Sequence, residues 1–179
     1  MTAYSTTRAV LGCLALAVVL AGCAPRPAAP PPEGRVPPES YVAPDFTVPA
    51  LAGAVDKLSL SSLVGQVVLI EFWATWCPAC RWELPRLDRL YAELKDKGFA
   101  LVGLSVDEGS VLEVTESVKP FGLSFPVALA GPDVQAAYGG IRALPTKFLL
   151  DRKGGIRKAY KGVVPPEELR ADIEALLAQ

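Results

Sequence analysis

A chain of 179 residues is long enough for one domain with its own core and too short for two of ordinary size. Its 18 Lys and Arg against 19 Asp and Glu leave a net charge of −1, which gives no footprint for nucleic acid or for an anionic membrane surface. There is no histidine and Met1 is the only methionine, so the imidazole and thioether ligands favoured by zinc, copper and haem iron are missing, and no metal site is expected.

Residues 1–8 carry one basic side chain, and residues 9–21 are continuously apolar or small, a run of about 13 that is short of the roughly 20 needed to span a bilayer as a helix. The run ends in Leu20-Ala21-Gly22-Cys23, which resembles the bacterial lipobox. That resemblance implies a lipoprotein signal peptide over residues 1–22, cleavage before Cys23, lipid attachment to its sulfur and loss of Cys13. An ordinary secretory signal or an uncleaved anchor is the alternative, and either also places the body outside the cytoplasm. Residues 23–42 follow as a Pro- and Ala-rich tether whose composition favours extended polyproline II and cannot bury a core. The folded domain is expected over residues 43–179.

Within that domain, residues 45–60 show two short alternating segments around Ala52-Gly53, the signal of an N-terminal β-hairpin at a sheet edge. Val67, Val68, Leu69, Ile70, Phe72 and Trp73 make a near-continuous apolar run, as a central strand covered on both faces would. A helix is predicted over residues 78–97, with Pro78 in its first turn, Leu84, Leu87, Tyr91 and Leu94 at helical spacing, and Pro85 inside it as a kink. Residues 99–106 read as a second strand, parallel to the first through a crossover. A central helical insertion is predicted over residues 107–119 through Val111, Leu112, Val114 and Val118, then a brief strand over 125–129 and a helix capped by Asp133 and running to Tyr138. Residues 146–151 and 155–160 read as a hairpin, and a last helix starts at Pro165-Pro166 with Leu169, Ile173, Leu176 and Leu177 as its apolar face.

Cys77-Pro78-Ala79-Cys80 opens the first helix directly after the central strand. The unpaired amides and dipole of a helix N-terminus favour a thiolate at Cys77, where a free-cysteine pKa near 8.5 can fall to about 3.5–7.5. Three-residue spacing brings Cys80 within disulfide reach. A closed zinc site would need two further ligands that the body lacks as thiolate or imidazole, and a structural disulfide over so short a loop stabilises little. The pair therefore reads as redox-active, with the Cys77/Cys80 disulfide as the only redox group and no separate cofactor. Glu71 interrupts the apolar strand, and a buried, unpaired carboxylate shifts its pKa upward; a solvated position at a sheet edge is the alternative.

A CxxC that follows a strand and begins a helix inside a βαβ pattern is the context in which thioredoxin-like chemistry is found. Phe72-Trp73-Ala74-Thr75-Trp76-Cys77-Pro78-Ala79-Cys80, Val106-Asp107-Glu108, Gly122-Leu123-Ser124-Phe125-Pro126-Val127 and Ala143-Leu144-Pro145-Thr146 together resemble the TlpA/ResA-type extracytoplasmic thiol-disulfide oxidoreductases over residues 43–179. The resemblance implies an α/β thioredoxin-like fold with Cys77 as attacking thiol, Cys80 as resolving thiol and Pro145 as a cis proline facing them. It also implies substrate contact by Trp76, Pro78, Ala79, Leu144 and Thr146. Glu71 matches the buried acid of thioredoxin, and Glu83 matches a glutamate that modulates the pair in the ResA type, with a solvated helix face as its alternative.

Three departures from the family pattern stand out: proline follows the first cysteine rather than preceding the second, Glu71 replaces a common Asn, and Lys147 replaces an uncharged residue. The function implied is a membrane-tethered, monomeric reductase of protein disulfides, with apocytochrome c as a substrate and a membrane dithiol donor of the CcdA/DsbD type. A disulfide-donating oxidase is the rival within the same chemistry. A copper-binding module lacks the histidine or methionine it would want, and a peroxiredoxin-like peroxidase, suggested by Ala43-Pro44-Asp45-Phe46, lacks the matching threonine-to-cysteine spacing.

Overall fold

In a computed structural model, the described residues are Met1, 41–52 and 56–179. The rest of the expected signal peptide, Cys13, Cys23, the expected tether up to residue 40 and residues 53–55 lie outside them. Seven strands, β1 (Thr47–Ala52), β2 (Lys57–Ser59), β3 (Val67–Trp73), β4 (Phe99–Ser105), β5 (Val127–Leu129), β6 (Thr146–Leu150) and β7 (Ile156–Lys161), form one sheet in the order β2-β1-β5-β4-β3-β6-β7. The helices are α1 (Pro78–Leu94), α2 (Val111–Val118), α3 (Pro132–Ala137) and α4 (Pro166–Leu177).

The largely apolar β3 occupies the position that its composition demands. It pairs in parallel with β4 on one side and antiparallel with β6 on the other, and all seven of its residues are buried. Its side chains alternate between two cores. Val67, Leu69 and Trp73 pack with Leu84, Leu87 and Leu90 of α1, Val114 and Val118 of α2, and Leu169 and Ile173 of α4. Val68, Ile70 and Phe72 face the other way, onto Phe46, Tyr138 and Phe148, with Val134 and Ala137 of α3 against them. Glu71 shares the parity of Leu69 and Trp73, so it points to the α1 and α4 face.

Several boundaries differ from the sequence expectation for local reasons. The first helix ends at Leu94 and closes with a 3-10 turn, Lys95–Lys97, which Gly98 stops at φ 93. The second begins at Val111, not at 107, because Ser110 and Glu113 form a capping box. Val111 and Leu112 are exposed, leaving Val114 and Val118 as its buried face. Gly131 rather than Asp133 caps α3; Asp133 lies in its first turn and makes no side-chain cap. Phe125 precedes β5 and fills the core, and Tyr91 is half-buried where Leu90 is buried.

Candidate active site

The loop that leaves β3 is fixed before it reaches the cysteines. Thr75 donates from both its backbone N and its Oγ1 to the Asp107 carboxylate, at 2.9 and 2.7 Å, and Ser105 Oγ donates to Asp107 Oδ2 at 2.5 Å. Val106 N donates to Trp73 O at 2.9 Å. The ends of β3 and β4 are thus joined, and Cys77 emerges as the N-cap residue of α1 with Pro78 in the first turn.

Cys77 and Cys80 form a disulfide with a Cα separation of 5.3 Å. Cys77 Sγ also accepts the Cys80 amide at 3.1 Å, so the helix N-terminus directs a donor at this sulfur. Cys77 is 5% exposed and Cys80 0%, while Trp76, Pro78 and Ala79 around them are exposed. An incoming nucleophile or disulfide therefore reaches the pair from the Cys77 side. The Leu144–Pro145 peptide is cis, the geometry that the resemblance implies. Because Phe72 pairs with Thr146, Pro145 lies at the end of the sheet where β3 hands the chain to the cysteine loop. Thr146 Oγ1 donates to Ala143 O at 2.7 Å, Leu144 is partly buried, and Pro145 O accepts from Gly162 N at 2.8 Å.

On the α1 face of the sheet three charged groups meet. Lys147 of β6, directly opposite Glu71 of β3, places Nζ 3.3 Å from Glu71 Oε2 and 2.7 Å from Glu83 Oε2 of α1. All three are buried, at 0%, 0% and 2% exposure for Glu71, Lys147 and Glu83. Lys147 also donates to Gly162 O at 3.1 Å, and Glu83 Oε1 accepts from Val164 N at 3.3 Å. Among the described residues no donor meets full hydrogen-bond geometry to either oxygen of Glu71, and its ion pair with Lys147, at 3.3 Å, is longer than the 2.7 Å contact of Glu83. Burial pushes Glu71 up to about 8; Lys147 pulls against this and Glu83 adds to it. The solvated alternatives for Glu71 and Glu83 are thereby excluded.

The Redoxin family pattern matches residues 38–177. The chain belongs to the Redoxin family. Among its relatives, thiol-disulfide oxidoreductase ResA of Bacillus thuringiensis subsp. konkukian (strain 97-27) is 38% identical over 128 residues, 71% of this chain and 72% of that protein. Thioredoxin-like protein YneN of Bacillus subtilis (strain 168) is 33% identical over 137 residues, 76% of this chain and 79% of the other. Among solved structures, a thiol:disulfide interchange protein of the thioredoxin family from Chlorobium tepidum TLS superposes with a TM-score of 0.70 at 28% identity, covering 82% of this chain and 99% of that one. StoA from Bacillus subtilis does so at 0.61 and 30% identity, covering 73% and 97%. This Redoxin member has the thioredoxin-like fold and is a thiol-disulfide oxidoreductase.

Within this Redoxin chain the structure brings Cys77, Cys80, Trp76, Pro78, Ala79 and the loop of Leu144, Pro145 and Thr146 to one end of the sheet, and buries Glu71 and Glu83 on one face. Two further residues belong to the site without a role assigned from sequence. Asp107 stands there only as part of a motif, although a Thr just before the tryptophan of the CxxC loop is a donor in search of an acceptor. Lys147 stands there only as a departure, yet strand parity counted back from Leu149 puts it on the α1 face. Among the described residues no group of three His, Cys, Asp or Glu is arranged to hold a metal ion.

Proposed function

We propose that the protein is a membrane-tethered, extracytoplasmic reductase of protein disulfides. The observation that carries the reading is the asymmetry of the disulfide: Cys77 sits at a helix N-terminus with its sulfur accepting an amide, while Cys80 is fully buried beside the face that holds Glu71. In the reduced enzyme, Cys77 thiolate attacks one sulfur of a substrate disulfide, forming a mixed disulfide and releasing the other substrate sulfur as a thiolate. Cys80 then attacks Cys77; the Cys77–substrate bond breaks and the enzyme disulfide closes. Two electrons have passed from the enzyme dithiol to the substrate. Glu71 takes the Cys80 proton. Trp76, Pro78 and Ala79 offer an exposed rim for an extended substrate, with the loop of Leu144, Pro145 and Thr146 at the same end of the sheet.

The tether rests on the lipobox-like ending at Cys23 and the proline-rich stretch after it. Lipid on Cys23 holds the domain outside the cytoplasm at a bacterial membrane. Apocytochrome c is the substrate that the resemblance suggests, with a membrane dithiol donor of the CcdA/DsbD type restoring the enzyme. No helix among the described residues is long and apolar enough to cross a membrane.

The test is a trap. A Cys80→Ser variant lacks its resolver, so substrates are expected to remain covalently attached to Cys77 and to be envelope proteins rich in CxxC pairs. Absence of adducts, with a Cys77→Ser control behaving identically, would sink the reading. A reduction potential measured on the purified protein sets the direction: a strongly negative value supports the reductase, and one near about −120 mV the disulfide-donating oxidase.

A further inference from the structure

The buried face beneath α1 holds a charge arrangement that disulfide exchange alone does not require. One ammonium serves two carboxylates where none of the three groups is more than 2% exposed. With all three charged the cluster would carry a net −1 in the interior, and a buried excess charge is relieved by taking up a proton. Geometry decides which carboxyl takes it. Glu83 receives Lys147 Nζ at 2.7 Å and the Val164 amide at 3.3 Å, whereas Glu71 has the longer ion pair to the same Nζ, at 3.3 Å, and no donor in full hydrogen-bond geometry among the described residues.

Among the described residues, the neighbouring strands add no competing charge. Opposite Glu71 on β4 stands Gly103, which has no side chain, and opposite Lys147 on β7 stands Tyr160, whose hydroxyl donates instead to Asp172 of α4 at 2.7 Å. From α1 comes Glu83, with Cys80 buried in the core on the same side of the sheet; Lys147 and Glu83 are the charges that act on Glu71. Lys147 is also tied to the cis-proline loop, since the Gly162 that accepts from it donates to Pro145 O.

We propose that Lys147 is a positioning residue for the exchange reaction: by committing its ammonium to Glu83 it leaves Glu71 as the carboxyl of this triad that gains and loses a proton as Cys80 reacts. This rests on the roles of Cys77 and Cys80 given above. When Cys80 attacks the Cys77 mixed disulfide, its thiol proton passes to the Glu71 carboxylate, the Cys77–Cys80 bond forms, and the substrate sulfur leaves as a thiolate. The proton returns to Cys80 when a dithiol donor next reduces the enzyme.

The experiment uses the full-length reduced protein with Cys13→Ser and Cys23→Ser, so that only the active pair reports, and Ellman's reagent as the disulfide. The first aromatic thiolate released marks attack by Cys77, and the second marks resolution by Cys80. Its rate, followed from pH 5 to 10, should rise through a midpoint near 8, where Glu71 titrates. Lys147→Met removes the cation beside Glu71 and should move that midpoint up by about one pH unit or more, a loss of about tenfold in rate at pH 7.

Lys147→Arg should hold the midpoint within about half a unit. Glu83→Gln should move it down by about one unit, because the freed ammonium turns to Glu71. In a Glu71→Gln background neither shift should survive. General loosening of the fold would not displace two variants in opposite directions. Unchanged midpoints, shifts of the same sign, or shifts that persist without Glu71 overturn the proposal. Should Lys147→Met fail to fold, the Glu83→Gln and Lys147→Arg arms decide it. A first release with no second in the parent protein would overturn the Cys77/Cys80 reading itself, and this assignment with it.

Discussion

Glu71 titrates near 8 in the folded protein against an ordinary 4.5, so the fold binds a proton there that the unfolded chain releases. Its contribution to stability is therefore full below about pH 4.5 and is lost as pH rises toward 8, the reverse of a salt-bridged surface carboxylate. Urea unfolding at pH 5, 6, 7 and 8 should show the parent losing stability relative to Glu71→Gln as pH rises; parallel curves would remove the titration from this residue. An acid in an otherwise apolar strand already marks this position as odd in the sequence. Its partner is not legible there, because Lys147 meets Glu71 only through the β3–β6 register, a pairing between residues 76 positions apart. Glu83 stands between these cases: its spacing from Cys80 places it on the cysteine side of α1, while its burial depends on how the 162–164 segment covers it.

Among the elements, β3 and α1 follow directly from composition and punctuation, since one is apolar but for Glu71 and the other is opened by proline and carries leucines at helical spacing. The segment after β4 does not, for Val111 and Leu112 continue an apolar pattern into solvent while a Ser-Glu capping box sets the helix start. Strand β4 carries a constraint of a different kind. A Cβ at Gly103 would lie 3.1 Å from Phe125 Cε2 and 3.4 Å from both Trp73 Nε1 and Val127 Cγ2. Gly103→Ala should therefore destabilise by about 1–3 kcal/mol in denaturant unfolding, because the Phe125 ring must shift in a filled core. A neutral or stabilising result would mean that the ring has room to yield. Trp73 Nε1, buried and without a hydrogen-bond partner, already shows that packing outranks polar satisfaction at this spot.

At the scale of the whole molecule, the interior is arranged about β3, with a core on each face and the reactive disulfide at its C-terminal end. Amide hydrogen exchange should be slowest in β3 and β4, whose residues are all buried, and faster in β2 and α2. Protection of β2 equal to that of β3 would contradict a hierarchy centred on that strand. The sheet's two margins are built differently from its middle. One, β2, is only three residues long and begins with Lys57; the other, β7, carries Arg157, Lys158 and Lys161, and the backbone of Tyr41 and Ala43 covers its turn end. Short, cationic or shielded margins resist the stacking of foreign chains. In a thiol-disulfide oxidoreductase, blunted flanks keep the edges of the sheet from competing for an extended polypeptide with the exposed rim of Trp76, Pro78 and Ala79 beside Cys77.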